Sequence, residues 1–332
     1  MKNGIFICTL IMSLALSSSA FAAVNEEEMS NVTNFVNEVY PNISDEEKAE
    51  LVERLYNERT NSNVERSAAP AAEPYIKEED PLYMEMENRV NYVVALINDM
   101  GSEATKFTWE DNLDFLTENY NEIKAKAGVD MSIVDTYIEE RESAKEHLNE
   151  PSKKVYEGSS LLTANGYDYD SATSYANQYL YNYNSDYPDW TPYGGDCANF
   201  ASQCLYAGGK SMSGSDPDDP LSWFSYGSAT DTSQVAGAWR GANMFKNYWT
   251  ECAPAYQDFS EGGIDTYNYT WPGDVVSMLY DDGSGVAYHT LICYTYNSSA
   301  KSTTVYSHTG TPSRNLSTVS TPLRIFHMRD SY

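Results

Sequence analysis

The chain has 332 residues, enough for two domains, and a formal net charge of −28 from 49 acidic against 21 basic side chains. Such a surface repels phosphate backbones and anionic membranes, and no basic run or aromatic-basic stripe opposes it, so nucleic acid is excluded as an expected partner. The excess is uneven: residues 24–157 hold 32 acids against 13 bases, and residues 158–332 hold 17 against 7.

Lys2 precedes an apolar run from Ile5 to Leu16, and small residues then lead to Ala20-Phe21-Ala22, an A-x-A cleavage pattern. A signal peptide over residues 1–22 is expected, giving a secreted bacterial product, extracellular or cell-wall associated. The run is too short to span a bilayer and no later stretch reaches that length, so no membrane partner is expected after cleavage. The remaining cysteines, Cys197, Cys204, Cys252 and Cys293, are too few for a disulfide scaffold. A Cys252–Cys293 bridge stays open.

Residues 23–66 read as a helical hairpin. Met29, Val32, Phe35, Val36 and Val39 form one helical stripe ended by Pro41, and Ser44 with Glu47 makes a capping box before Leu51, Val52 and Leu55. Residues 67–81 have the Ala/Pro composition of a linker. Residues 82–157 form an acidic helical region: a stripe from Met86 to Met100 stops at Gly101, Thr108 with Asp111 starts another, and Ile133, Val134, Tyr137 and Ile138 mark a third. This half carries no nucleophile, base or metal cluster, and His147 stands among charged residues as a surface side chain. It is expected to be dispensable for chemistry, as a propeptide, docking module, dimerisation element or accessory bundle.

From residue 158 to 332 the composition turns to Tyr, Ser, Gly, Asn and Trp. Ser171–Tyr183 reads as a helix, and Trp239 to Trp249 as another begun near Asp231–Ser233. Val275–Tyr280, Val286–Tyr296, Ser302–His308 and Leu323–Met328 are rich in β-branched and aromatic residues and are separated by turn clusters, which predicts antiparallel strands. The layout is α+β, a helix laid against a sheet and preceded by an acidic all-α region.

Between those helices runs Tyr193-Gly194-Gly195-Asp196-Cys197-Ala198-Asn199-Phe200, closing with Ala207-Gly208-Gly209. The glycines turn the chain, Asp196 is expected to cap the first turn, and Cys197 opens a helix whose N-terminal N–H groups favour a thiolate. Cys204, about 10 Å along the same helix, is too far to bridge it and reads as a core-facing thiol.

The stretch resembles the putative amidase domain family, within the NlpC/P60- and CHAP-like papain-type cysteine hydrolases. The matching residues are Asp196-Cys197-Ala198-Asn199-Phe200, Ser202-Gln203-Cys204-Leu205 and Ala207-Gly208-Gly209, with Tyr175-Ala176, Trp223, Ser233, Trp239, Phe245, Tyr248, Pro272-Gly273-Asp274 and His289 also similar. The resemblance implies a papain-like fold, amide hydrolysis by Cys197 and His289, and peptidoglycan as substrate.

A thiol nucleophile needs a base, and His289, near the start of a strand, is the candidate over His308 and His327. The backbone N–H of Cys197 is the natural oxyanion donor, and Tyr193 matches an upstream tyrosine of NlpC/P60 enzymes. A hairpin centred near Ser298-Ser299 would set His308 opposite His289 as its orienting group, with Thr309 or Asn315 as alternatives. The resemblance likewise implies a polar third residue there. Asp274 reads as a turn acid. No spacing suits a metal, and no cofactor is expected. Two classes fit: a cysteine amidase or endopeptidase acting on peptidoglycan or peptide, and a noncatalytic module of the same fold that binds glycan or peptide.

Overall fold

The computed structural model describes residues 25–65, 72–146, 148, 166–297 and 300–329. The expected signal peptide, His147 and the Ser298-Ser299 turn lie outside them. Among the described residues the protein is α+β, with eleven α-helices and one six-stranded antiparallel sheet.

Side-chain caps start four helices of the first half. Asn25 accepts from Glu28 N to start α1 (Glu26–Val39). The capping box starts α2 (Asp45–Glu65): Ser44 N donates to Glu47 Oε2 at 2.9 Å and Glu47 N donates to Ser44 Oγ at 3.3 Å. Asp80 caps α3 (Pro81–Asp99), with proline in the first turn where its missing N–H costs nothing. Then come α4 (Trp109–Glu118), α5 (Tyr120–Ala125) and α6 (Met131–Lys145), the last capped by Asp130. Thr108 makes no side-chain cap; its hydroxyl accepts from Thr105 N at 2.9 Å instead.

The second half contains α7 (Tyr169–Tyr179), α8 (Cys197–Ala207), α9 (Gly237–Arg240), α10 (Ala242–Cys252) and α11 (Ile264–Tyr269). The helix expected to start near Asp231 is two helices meeting at Gly241. Asp231–Ser233 is a turn, closed by Ser233 N donating to Asp231 Oδ1 at 2.9 Å.

The strands are β1 (Ala255–Phe259), β2 (Val275–Leu279), β3 (Ala287–Asn297), β4 (Ser302–Tyr306), β5 (Ser313–Asn315) and β6 (Leu323–His327), in the order β1-β6-β2-β3-β4-β5. The two edge strands were not legible in the sequence: β1 carries polar Gln257 and Asp258, and β5 has three residues. Every residue of β2, β4 and β6 is buried, so both faces of the sheet are covered. The four cysteines among the described residues form no disulfide: Cys293 is buried in β3 and Cys252 is exposed at the end of α10.

The first half supplies part of that cover. Arg59 of α2 pairs with Glu28 of α1 at 2.9 Å, both buried, and its guanidinium stacks 4.4 Å over Trp271 and 4.6 Å over Tyr296. Arg141 of α6 pairs at 2.8 Å with Asp282, in the β2–β3 turn, and both are fully buried. The stretch assigned to a linker also docks from residue 73 onward. Glu73 N donates to Ser313 O and Asn315 N to Glu73 O, both at 3.1 Å, adding a parallel bridge to the β5 edge. A helical half expected to be separable is thus built into the sheet's surroundings.

Candidate active site

A short 3-10 turn at Thr191–Tyr193 and two glycines with positive φ, Gly194 at 101° and Gly195 at 123°, deliver the chain to α8. The positive φ of Gly195 favours glycine there, and a Cβ would also press on Leu82 Cδ2 of α3 at 2.8 Å. Cys197 opens the helix and is buried, in the wall of a cleft of about 470 Å³. Trp190, Tyr193 and Arg240 line the cleft together with Leu82, Met86 and Arg89 of α3. The first half therefore forms a wall of the site.

Asp196 does not cap α8. It is fully buried, and its carboxylate accepts from Trp190 N at 3.0 Å and Asn199 Nδ2 at 2.8 Å, then meets His308 Nδ1 at 2.7 Å. The expected cap is replaced by a carboxylate turned inward onto a histidine. Asn199 Oδ1 in turn accepts from Trp239 Nε1 at 2.8 Å, and Ser202 Oγ accepts from Trp223 Nε1 at 3.0 Å. The polar residues of the Cys197 motif thus fix α8 in place.

His308 is not the partner of His289. Its ring stacks on Phe200 at 4.0 Å between centroids, and Nε2 donates to Tyr179 O at 2.8 Å. The reason is register: Ile292 lies opposite Tyr306, a bulge follows between Cys293 and Thr295, and β4 ends at Tyr306, before His308. Ser307 comes nearest to His289 from this strand end, with Oγ 3.4 Å from Nε2. Thr309, the one-residue slip alternative, instead accepts from Asp196 N at 2.9 Å. Tyr193 is 68% exposed at the cleft rim, edge-on to Trp190 at 5.9 Å, and its hydroxyl makes no hydrogen bond among the described residues.

His289 lies in β3, fully buried, next to Thr290, whose backbone N–H is directed at the Cys197 sulfur. Burial pushes the Cys197 thiol up to about 12, with the Asp196 and Asp80 charges reinforcing it against the Thr290 and Ala198 N–H groups. Burial likewise lowers His289 to about 3, assisted by Arg314 and opposed by Asp80. In this arrangement both groups are neutral, so enclosure outweighs the helix-terminus effect expected to favour a thiolate.

Two residues of this site escaped the sequence reading. Arg314 Nη2 lies 3.1 Å from His289 Nε2, and Asp80 Oδ2 lies 3.8 Å from the same nitrogen. Asp80 and Arg314 pair with each other at 3.0 Å, both almost completely buried. Burial works against the Asp80 charge, but His289 and Arg314 hold its carboxyl below the usual range. The available signals were an Asp-Pro helix start at the end of apparent linker and an arginine in a base-poor half. Asp274 is the expected turn acid, accepting from Trp271 N at 2.8 Å, and it also meets His327 Nδ1 at 2.8 Å. Cys204 is buried in the core. Among the described residues, no cluster of three or more His, Cys, Asp or Glu could hold a metal ion, and no helix is long and apolar enough to cross a membrane.

A helix-borne cysteine whose sulfur faces the backbone of Thr290, the residue that follows His289 in β3, is a layout suited to acyl transfer. Residues 166–328, just under half of the chain, match the model of the putative amidase domain family. The match suggests a hydrolase of amide bonds. No curated protein and no solved structure matches the chain.

Proposed function

We propose that the protein is a secreted cysteine amidase or endopeptidase that cleaves an amide bond of cell-wall peptidoglycan. The observation that carries this reading is the position of Cys197: first residue of α8, in the wall of an open cleft, with its sulfur facing the backbone of Thr290 beside His289.

The thiol proton passes to His289 as sulfur attacks the amide carbon. The oxyanion is held by the Cys197 backbone N–H, and the protonated imidazole gives its proton to the leaving amine as the C–N bond breaks. Water, deprotonated by His289, then releases the acid and restores the thiol. The neutral resting pair requires this proton transfer to occur with substrate bound, when cleft water has been displaced. Peptidoglycan is favoured by the resemblance to NlpC/P60-type hydrolases together with the signal-like N-terminus.

Incubation with purified peptidoglycan and with a protein digest, followed by mass spectrometry, tests the substrate. New amine termini from peptidoglycan, absent with Cys197→Ala, are expected. Binding to either polymer without cleavage would favour the noncatalytic module.

A further inference from the structure

The Nε2 atom of His289 has three polar neighbours: Arg314 Nη2 at 3.1 Å, Ser307 Oγ at 3.4 Å and Asp80 Oδ2 at 3.8 Å. Arginine only donates, so in this arrangement Nε2 accepts and the ring's single proton sits on Nδ1. Nδ1 is buried and has no hydrogen-bond partner among the described residues.

A ring that takes a proton from Cys197 on Nδ1 must hold its own proton on Nε2. The resulting imidazolium has two N–H donors, and Arg314 can accept neither. The Ser307 hydroxyl is neutral and already engaged at Thr290 O (3.1 Å) and His308 O (2.8 Å). Asp80 alone offers a negative acceptor. It is held there by Leu82 N on Oδ1 at 3.0 Å and by Arg314 on Oδ2, less than 1 Å beyond ordinary hydrogen-bond reach of Nε2.

We propose that Asp80, which lies outside the matched domain, is the positioning residue of this active site: its carboxylate accepts the Nε2–H of His289 when the Cys197 proton arrives, replacing the donation from Arg314. Asp80 also offsets the Arg314 charge, which by itself opposes an imidazolium. The resting ring must first change tautomer, its Nδ1 proton being lost to cleft water and one regained on Nε2 as that nitrogen turns from Arg314 to Asp80. One proton then leaves sulfur for Nδ1 and later departs with the amine, while the new Nε2 proton stays on the ring. The helical half then completes the site in cis, and residues 166–328 of this chain taken alone lack this acceptor. The inference rests on the Cys197–His289 reading.

Asp80→Asn and Asp80→Ser both keep an oxygen able to cap α3 but remove the charge. Either is expected to lower kcat on peptidoglycan about 100-fold with KM changed less than about twofold, the pattern of a group that acts in the transition state. Alkylation of Cys197 by iodoacetamide at pH 7 should slow in parallel. Removing the opposing charge as well, in Asp80→Asn/Arg314→Gln, should recover about tenfold, a rescue that loss of a mere structural contact would not give. On the unmutated chain, His289 should show a strongly downfield Nε2–H proton resonance once the ring is protonated.

Wild-type or higher turnover in a folded Asp80→Asn chain, or absence of that resonance, overturns the proposal for Asp80. An active Cys197→Ala chain overturns the catalytic reading itself, and the two failures are thereby distinguished.

Discussion

His308 Nδ1 and Asp196 Oδ2 lie 2.7 Å apart in the interior, joining the end of β4 to the residue before the candidate nucleophile. Removing one member of a buried hydrogen-bonded pair leaves the other unsatisfied, at a cost of about 1–3 kcal/mol. His308→Ala should therefore lower the melting temperature well below that of the unmutated chain and weaken turnover through misplacement of Cys197. Asp196→Asn, which retains the acceptor for Trp190 N, should cost less. Thermal denaturation with parallel activity measurement checks both; a His308→Ala chain of unchanged stability would refute the role.

The two cysteines of α8 should separate cleanly. Cys197→Ala is expected to abolish hydrolysis with a near-normal melting temperature. Cys204→Ala leaves a small core void and should cost about 1 kcal/mol while sparing turnover. Calorimetry and an amide hydrolysis assay on the pair would reveal a wrong nucleophile as the reverse pattern.

Stability should depend on His289 in acid. Its folded-state value, about 3, lies below the ordinary 6.5, so between those pH values the unfolded chain binds more protons than the folded one. Stability consequently rises with pH through this window and is lost as pH falls from about 6.5 toward 3. His289→Phe should flatten that acid limb in urea denaturation series. The lowered carboxyl of Asp80 adds loss in the same direction below its ordinary value of 3.8.

A chain beginning at residue 158 should fail to fold as a monomer. It would leave Asp282 buried without Arg141, remove the stacked Arg59 from Trp271 and Tyr296, and strip α3 from the cleft. Circular dichroism and size exclusion check this. Supplying residues 23–157 in trans should restore soluble, folded protein.

Much of this protein is determined by local sequence. Periodicity, the Ser44/Glu47 box, Asn25, Asp130 and the glycines at 208 and 209 specify helices through interactions within a turn or two of the chain. The four inner strands follow from β-branched and aromatic runs, and Cys197 and His289 from residue type and position. Edge strands β1 and β5 carry no such run, because an edge is defined by its neighbours. Charge partners were decided only in three dimensions. Asp196 looks like a cap until His308 is placed beside it, and the bulge after Cys293 sets a register that alternation alone cannot specify. Asp80 reads as the start of α3 and is that, but Arg314, 234 residues away, gives it a second role. Pairing across such a separation depends on which surfaces bury together, a property of packing that no local pattern encodes.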